Sequence, residues 1–480
     1  MRSNNGPGSG HRAQTCRCII EGWEFAAGKK VLVAKPIIIF ILVFLFAPFA
    51  TRYALCASAD EPLELDQLIE EALKNSPELL VAESKTAASV HRIPQAKSLP
   101  DPMFMFGYQN EGTKKLTLGE EADSMGMFSL SQMFLFPGKR ALKGDMATQD
   151  MESLKAMHKA TQLKTIATVK QLYYDLFLAH KTVDILKRLT EFFSRIEDAA
   201  NARYSSGMGS QQEVIMAQTE KYMLLEKEEM QKQKIQAVQG MLNTAVGRPV
   251  DTPMGRPVNL SYTSYKVSMK DLLRTTKDNS PELRSREKMI EGAKAKLEMA
   301  RKEYYPDFTI AANYYPKTNG FMDMWSMTAT INIPIFYKTK QDQAVLEAQA
   351  NLLGAEREAK TVEYMLSSSI RDNYSMARTA ENLMKLYKEG VIPKTYQDFQ
   401  LALSGYAAGK TEAITAISRL KALLDTELLY WIQYVEREKA IARLDALTGE
   451  TGSEFKVQDP EKNNTMQGQD SADRGSGGRN

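Results

Sequence analysis

The spacing of apolar positions along the chain changes several times. From Val169 to Ala200, Val169, Leu172, Leu176, Ala179, Val183, Leu186, Thr190, Phe193, Ile196 and Ala200 recur at steps of three and four. A mean step near 3.5 keeps one seam turned toward a partner helix and predicts supercoiling. Long helices are expected over about 139–204 and again over about 338–404. At 1.5 Å per residue, about 65 residues rise roughly 100 Å, longer than any compact domain. Glycine-containing breaks at 207–209 and 409 precede return helices ending near 246 and 447. Four stretches, about 102–110, 125–136, 307–315 and 325–336, alternate aromatic, Met, Ser and Thr residues and predict short strands. Amphipathic helices are expected at about 64–74 and 268–278. Each is followed by a Ser-Pro-Glu-Leu step, with Pro77 or Pro281 opening the next helix where a missing N–H costs little. Pro100 and Pro306 then turn the chain into the extended stretches.

This plan is written twice. Leu68 to Leu79 matches Leu272 to Leu283, and Pro100-Asp101 matches Pro306-Asp307. Phe136 matches Phe336, Tyr204-Ser-Ser-Gly207 matches Tyr406-Ala-Ala-Gly409, and Leu242 to Gly247 matches Leu444 to Gly449. The matches are collinear at offsets of 200 to 206 residues, far beyond the roughly 20–50 of a solenoid repeat. The chain therefore divides into a leader, 1–59, a first copy, 60–255, a second copy, 256–450, and a polar tail, 451–480, whose Gly, Ser, Asp, Asn and Gln content predicts disorder.

The four strand segments sit at the opposite end of the helical hairpins from the glycine breaks. Each is near the 9–11 residues a tilted strand needs to cross a bilayer. Four strands cannot close a barrel, and an open edge in lipid leaves backbone groups unsatisfied at several kcal/mol each. Such a sheet must oligomerise, and three chains supply twelve strands.

Composition narrows the classes. Lys+Arg of 62 against Asp+Glu of 59 gives +3, which is no nucleic-acid signature. Cys16, Cys18 and Cys56 all fall in the leader. There Lys35, the apolar run from Pro36 to Ala50 and Ala57-Ser58-Ala59 before Asp60 form the pattern of a secretory signal peptide, with Ala57, Ala59 and Asp60 at the cleavage site. The basic flank of 35 residues is long, which leaves a translation start near Val31 or Val33 as an alternative to Met1. Lipidation of Cys56 is a second open reading, disfavoured by the bulk of Leu55. Cleavage after Ala59 leaves 421 residues without cysteine and a net charge of −2. His91, His158 and His180 lack metal-ligand spacing, and metalloprotease, phosphate-loop and nucleophile-elbow motifs are absent. No enzyme, cofactor or metal site is expected.

Asn75-Ser-Pro-Glu-Leu79, Ser98-Leu-Pro-Asp-Pro102, Gly107-Tyr-Gln-Asn-Glu-Gly112, Phe136-Pro-Gly-Lys-Arg140, Tyr204-x-x-Gly207 with Gln211-Gln-Glu-Val214, and Gly409-Lys-Thr-Glu412 with Leu423-Leu-Asp425 follow one another in order. Together with the duplication, they resemble the TolC-like outer-membrane efflux proteins over about 60–450, nearest to the heavy-metal efflux branch. The resemblance implies a mainly α fold with a small β part: long antiparallel coiled-coil helices, four transmembrane strands per protomer, and a homotrimer closing a twelve-stranded barrel and a periplasmic α-helical tunnel. It further implies an exit duct in outer-membrane lipid, working with a periplasmic adaptor (membrane fusion protein) and an inner-membrane transporter of RND or ABC type. Alternatives are the outer-membrane component of a type I secretion system and a periplasmic coiled-coil adaptor or scaffold.

By the same resemblance the glycine breaks are the periplasmic tips, with Tyr204, Gly207, Met208 and Gly209 at one and Gly405, Tyr406, Gly409 and Lys410 at the other. They either contact the adaptor or serve only to turn the chain. Asp398 and Glu412 are candidates for a tunnel constriction, against the alternative of a solvated helix face. The Met-x-Met pairs Met103/Met105, Met125/Met127 and Met322/Met324 present thioethers on one face wherever the chain is extended, either for soft ions or as apolar surface. One conflict stands. Phe128, Leu130 and Phe134 put the apolar face of the second strand at even positions, whereas Ile331, Ile333 and Ile335 put its counterpart at odd positions, although the offset of 200 is even. A bulge or a wrong assignment would each account for it.

Overall fold

The computed structural model describes residues 62–117, 121–258 and 262–449. All belong to the compact unit Ala57–Asn480. Cys56, the cleavage-site residues Ala57, Ala59 and Asp60, the rest of the leader and the tail 451–480 lie outside the described residues.

The first copy runs α1 (Leu65–Asn75), α2 (Pro77–Lys97), β1 (Met103–Gln109), β2 (Met125–Phe134), α3 (Lys139–Ser205) and α4 (Gln211–Val246). The second runs α5 (Met269–Asn279), α6 (Pro281–Lys302), β3 (Phe308–Tyr315), β4 (Met324–Ile331), α7 (Gln341–Leu386), α8 (Ile392–Ala407) and α9 (Ala413–Thr448). Helix α3 is unbroken over 67 residues, about 100 Å at 1.5 Å per residue. Its counterpart is not the single helix expected over 338–404. Tyr337 to Lys340 form a turn, with Asp342 N–H donating to the Tyr337 carbonyl at 2.8 Å. A π-helical turn, Tyr387–Val391, then separates α7 from α8. Pro393 accounts for the break: it has no N–H to give the Glu389 carbonyl, its ring crowds that group, and the wider turn absorbs the mismatch.

The heptad seam is the core. Val169, Leu176, Ala179, Ile196 and Ala200 are fully buried, with Leu186 and Phe193 nearly so. At one end the seam packs with Leu68 and Ile69 of α1, Val238 and Leu242 of α4 and Val435 of α9. Toward the glycine breaks it packs with Leu224 of α4, Phe399 of α8 and Leu420 of α9. Each large apolar side chain so buried contributes roughly 1.5–3 kcal/mol.

The sheet is antiparallel in the order β1-β2-β3-β4. Register resolves the parity conflict. Met103 pairs with Ser131, and its repeat partner Thr309, 206 residues on, pairs with Thr330. Ser131 and Thr330 are therefore equivalent at an odd offset of 199, which aligns Ser129-Leu-Ser131 with Thr328-Ala-Thr330. The even offset of 200 returns only at Phe336, so one extra residue lies between strand and helix, around Pro334, and the ladder needs no bulge. Ile331 ends β4, and Ile333 and Ile335 lie beyond it. One face of the sheet thus carries Phe104, Phe106, Phe128, Leu130, Ile310, Tyr314, Trp325 and Met327. The other carries Ser129, Ser131, Thr309, Asn313, Ser326, Thr328 and most of the strand methionines. An apolar face opposite a polar one is the division a membrane barrel requires.

Candidate functional site

Two helical tips end the coiled coil. At the first, α3 closes with the Met208 and Gly209 N–H groups donating to the Arg203 carbonyl at 2.8 and 3.0 Å. At the second, the Lys410 and Thr411 N–H groups donate to the Gly405 carbonyl at 2.8 and 3.3 Å. The turns are equivalent at an offset of 202, and both need a left-handed residue: Gly207 has φ +72° and Gly409 φ +70°. A Cβ on Gly207 would meet nothing within 4 Å, so conformation alone calls for glycine there.

The side chains break the symmetry. Arg203 stands where the second copy has Gly405, and Gly209 where it has Thr411. A Cβ on Gly209 would come within 3.0 Å of the Arg203 Cβ, and one on Gly405 within 3.0 Å of Thr411. Large and small residues are thus exchanged between the two turns. Tyr204 is 49% exposed, whereas its counterpart Tyr406 is fully buried. Tyr406 joins the tips. Its hydroxyl donates to Glu213 Oε2 at 3.1 Å, and the Arg203 guanidinium lies over its ring at 5.1 Å. Arg203 also donates to the carbonyls of Tyr406 at 3.4 Å and Met208 at 3.2 Å, and faces the Glu213 carboxylate at 3.7 Å. Burial, then the Glu213 carboxylate, push the Tyr406 hydroxyl up to about 12, so it stays protonated and donating at any physiological pH.

Of the constriction candidates, Asp398 on α8 pairs with Arg419 on α9 at 3.2 Å. Glu412 is exposed and precedes α9, its carbonyl accepting the Thr415 N–H at 3.1 Å. Arg203 and Glu213 were not singled out from sequence as tip residues. The available signal was the copy-to-copy mismatch of Arg203 with Gly405 beside otherwise matched tyrosines. Among the described residues no group of three or more His, Cys, Asp or Glu side chains forms a metal cluster. No described helix is long and apolar enough to cross a membrane.

Among curated proteins, the cobalt-zinc-cadmium resistance protein CzcC of Cupriavidus metallidurans is 21% identical over 398 residues, spanning 81% of this chain and 90% of that protein. Among solved structures, a membrane protein from Pseudomonas aeruginosa superposes with a TM-score of 0.73 at 15% identity, over 83% of this chain and 93% of that one. The outer membrane protein VceC from Vibrio cholerae gives 0.70 at 16% identity, over 80% and 96%. These structural likenesses establish the fold. The family model described as outer membrane efflux protein matches twice, over residues 68–248 and 272–450, once in each copy of the duplication. With both copies matched, the chain belongs to the outer membrane efflux protein family, transport channels of the outer membrane with a helical extension into the periplasm.

Proposed function

We propose that three copies of this chain assemble into one exit duct, a twelve-stranded barrel continued by a helical tunnel. In this reading the tips engage a periplasmic adaptor that couples the duct to an inner-membrane transporter of RND or ABC type. Residues 60–255 and 256–450 act as interlocking halves of each protomer. The observation that carries the reading is that β1 and β4 are unpaired edges of a sheet whose internal β2–β3 seam supplies the template for closing them. Ser129 pairs with Asn313 across that seam. Their repeat partners are Thr328, 199 residues later, and Gly107, 206 residues earlier. Thr328 of one protomer therefore pairs with Gly107 of the next. The flanks follow the same rule. Asp307 accepts the Phe136 N–H at 2.7 Å and pairs with Lys139 at 3.0 Å. Its partner Asp101 is exposed, as is Phe336, at 74%. Between protomers Asp101 takes the Phe336 N–H.

The test is a cysteine pair. Thr328→Cys with Gly107→Cys should oxidise to a covalent trimer in outer membranes, because a Cβ on Gly107 meets only the Met127 Cβ, at 3.8 Å. Thr328→Cys with Phe106→Cys, on opposite faces, should not. Crosslinking by the second pair alone would refute the register, and crosslinking by neither would refute the closed sheet.

The tips are tested separately. Photocrosslinkers at Ser206 and Lys410 should capture the cognate adaptor in an active pump. An active pump with no adduct from either position would reduce the tip glycines to turn geometry. The metal resistance named for the relative CzcC makes metal ions a candidate cargo of this duct.

A further inference from the structure

We propose that the channel side of the sheet carries a thioether track that takes soft monovalent cations of the Cu(I) and Ag(I) class. The inference rests on the trimeric-duct reading for one point only, that the polar face of the sheet is the lumen. The track itself is built within one chain. Met103 pairs with Ser131, Met105 with Ser129, Gly107 with Met127, and Gln109 with Met125, while Met133 lies two residues beyond Ser131 on the same face. Met133, Met103, Met105, Met127 and Met125 thus follow one another by single steps, each either two residues along a strand or one diagonal across the β1–β2 ladder. Such neighbours lie within about 7–8 Å at the backbone, a gap that flexible methionine side chains can close. From Met133 to Met125 the track covers roughly 26 Å of strand.

Packing explains Met125, which is buried, but not Met103 and Met105, which are 63% and 53% exposed. A barrel interior is polar and wet, and an apolar side chain there forgoes the burial that lipid would give it. Yet all five methionines of β1 and β2 share a face with Ser129 and Ser131, while the opposite face of the same strands holds Phe104, Phe106, Phe128 and Leu130 and no methionine. The second copy is an internal control. In the positions of Met103, Met105, Met127 and Met133 it has Thr309, Ala311, Ser326 and Asn332, and it retains only Met324, in the position of Met125. The same fold is therefore built without these thioethers. The pair Met322/Met324 is not part of such a face, since Met322 precedes β4.

The chemistry selects the ligand. A thioether is a neutral, soft donor that favours d10 monovalent ions over zinc or magnesium. Strands β1 and β2 contain no charged residue, so sulfur, hydroxyl oxygens and the Gln109 amide oxygen are the donors on offer. Weak binding at several adjacent sites also suits a conduit, because an ion must enter and leave.

The test uses the full-length protein purified in detergent, labelled at the methionine methyls and titrated with silver ion as a redox-stable probe. Saturable shifts confined to the five track methionines are expected, with no response to zinc. Met103→Leu, Met105→Leu and Met127→Leu together should weaken silver binding at least about tenfold, whereas Met208→Leu at the tip should leave it unchanged. Leucine nearly conserves the volume, and the Thr328–Gly107 crosslink in the triple variant reports that the barrel is intact. Silver shifts spread evenly over exposed methionines such as Met208 and Met322, or unchanged affinity in the crosslinking triple variant, would overturn the track. A protein that crosslinks but takes no silver defeats the track alone. One that takes silver at these five residues yet never crosslinks keeps the track and defeats the trimer.

Discussion

Gly247→Ala is expected to destabilise the protein by about 3 kcal/mol or more, while Gly207→Ala costs only about 1–2 kcal/mol. Both glycines follow a helix in the left-handed region, at φ +83° and φ +72°. They differ in what lies beside them. Gly247 ends α4 with the Arg248 N–H donating to the Asn243 carbonyl at 2.8 Å, and a Cβ there would sit 2.3 Å from the Asn75 carbonyl oxygen at the end of α1. That neighbour is backbone and cannot swing aside, so the helix ends must separate, dragging the Leu68–Leu242 packing with them. Gly449 repeats the arrangement in the second copy, 2.5 Å from the Asn279 carbonyl oxygen, and its alanine variant should behave like that of Gly247. Gly207 has open space, so alanine there bears only the dihedral cost. Thermal unfolding of the three variants in detergent checks the order. Equal losses at Gly207 and Gly247 would mean that the close approach of α1 to α4 contributes nothing.

The comparison also marks what was readable in the sequence. Leu242 to Gly247 and Leu444 to Gly449 were legible as equivalent helix ends, because a glycine after an apolar-periodic run is a local signal. The heptad seam was legible for the same reason, and Val169 to Ala200 is the buried stripe of α3. Strand faces were harder to read. The apolar set of β2 could be read, but β4 needed the ladder register, since one residue inserted near Pro334 flips every side chain upstream relative to the helix start. The broken second hairpin escaped because Pro393 lies inside a stretch that otherwise reads as helix, and a proline can be absorbed by a wide turn as well as by a helix end. At the tips, matched tyrosines concealed opposite environments. The buried Tyr406 meets Arg203 and Glu213, residues brought to it only through the packing of three helices.

Arg437→Ala is expected to cost about 3–5 kcal/mol, and adding Glu438→Gln should recover a large part of the loss. Arg437 and Glu438, adjacent on α9, are 1% and 2% exposed. Nothing in the periodicity of α9 announced a charged pair in its core. The pair is held by the segment that leads from α4 into α5. Arg437 Nη2 donates to the Thr263 carbonyl at 2.7 Å, Thr263 Oγ1 donates to Glu438 Oε2 at 2.6 Å, and the Tyr262 ring lies 4.0 Å from the guanidinium. Removing Arg437 leaves a buried carboxylate with only the Thr263 hydroxyl and backbone N–H to answer it, and that desolvation, more than the lost attraction, sets the cost. Removing both charges leaves neither group unanswered, so the two losses should be strongly non-additive. The pH dependence has a definite sign. Burial raises the Glu438 pKa, while Thr263 and Arg437 pull it back, and without Arg437 it rises further. A folded state that holds this proton more tightly than the unfolded chain loses stability as pH climbs through the folded pKa. The Arg437→Ala deficit should therefore be full at neutral pH and shrink as the solution is acidified toward the ordinary carboxylate range. Unfolding measured at neutral and acidic pH for the two single variants and the double variant tests this. Additive losses, or a deficit that grows on acidification, would show that the connecting segment is not anchored through this pair.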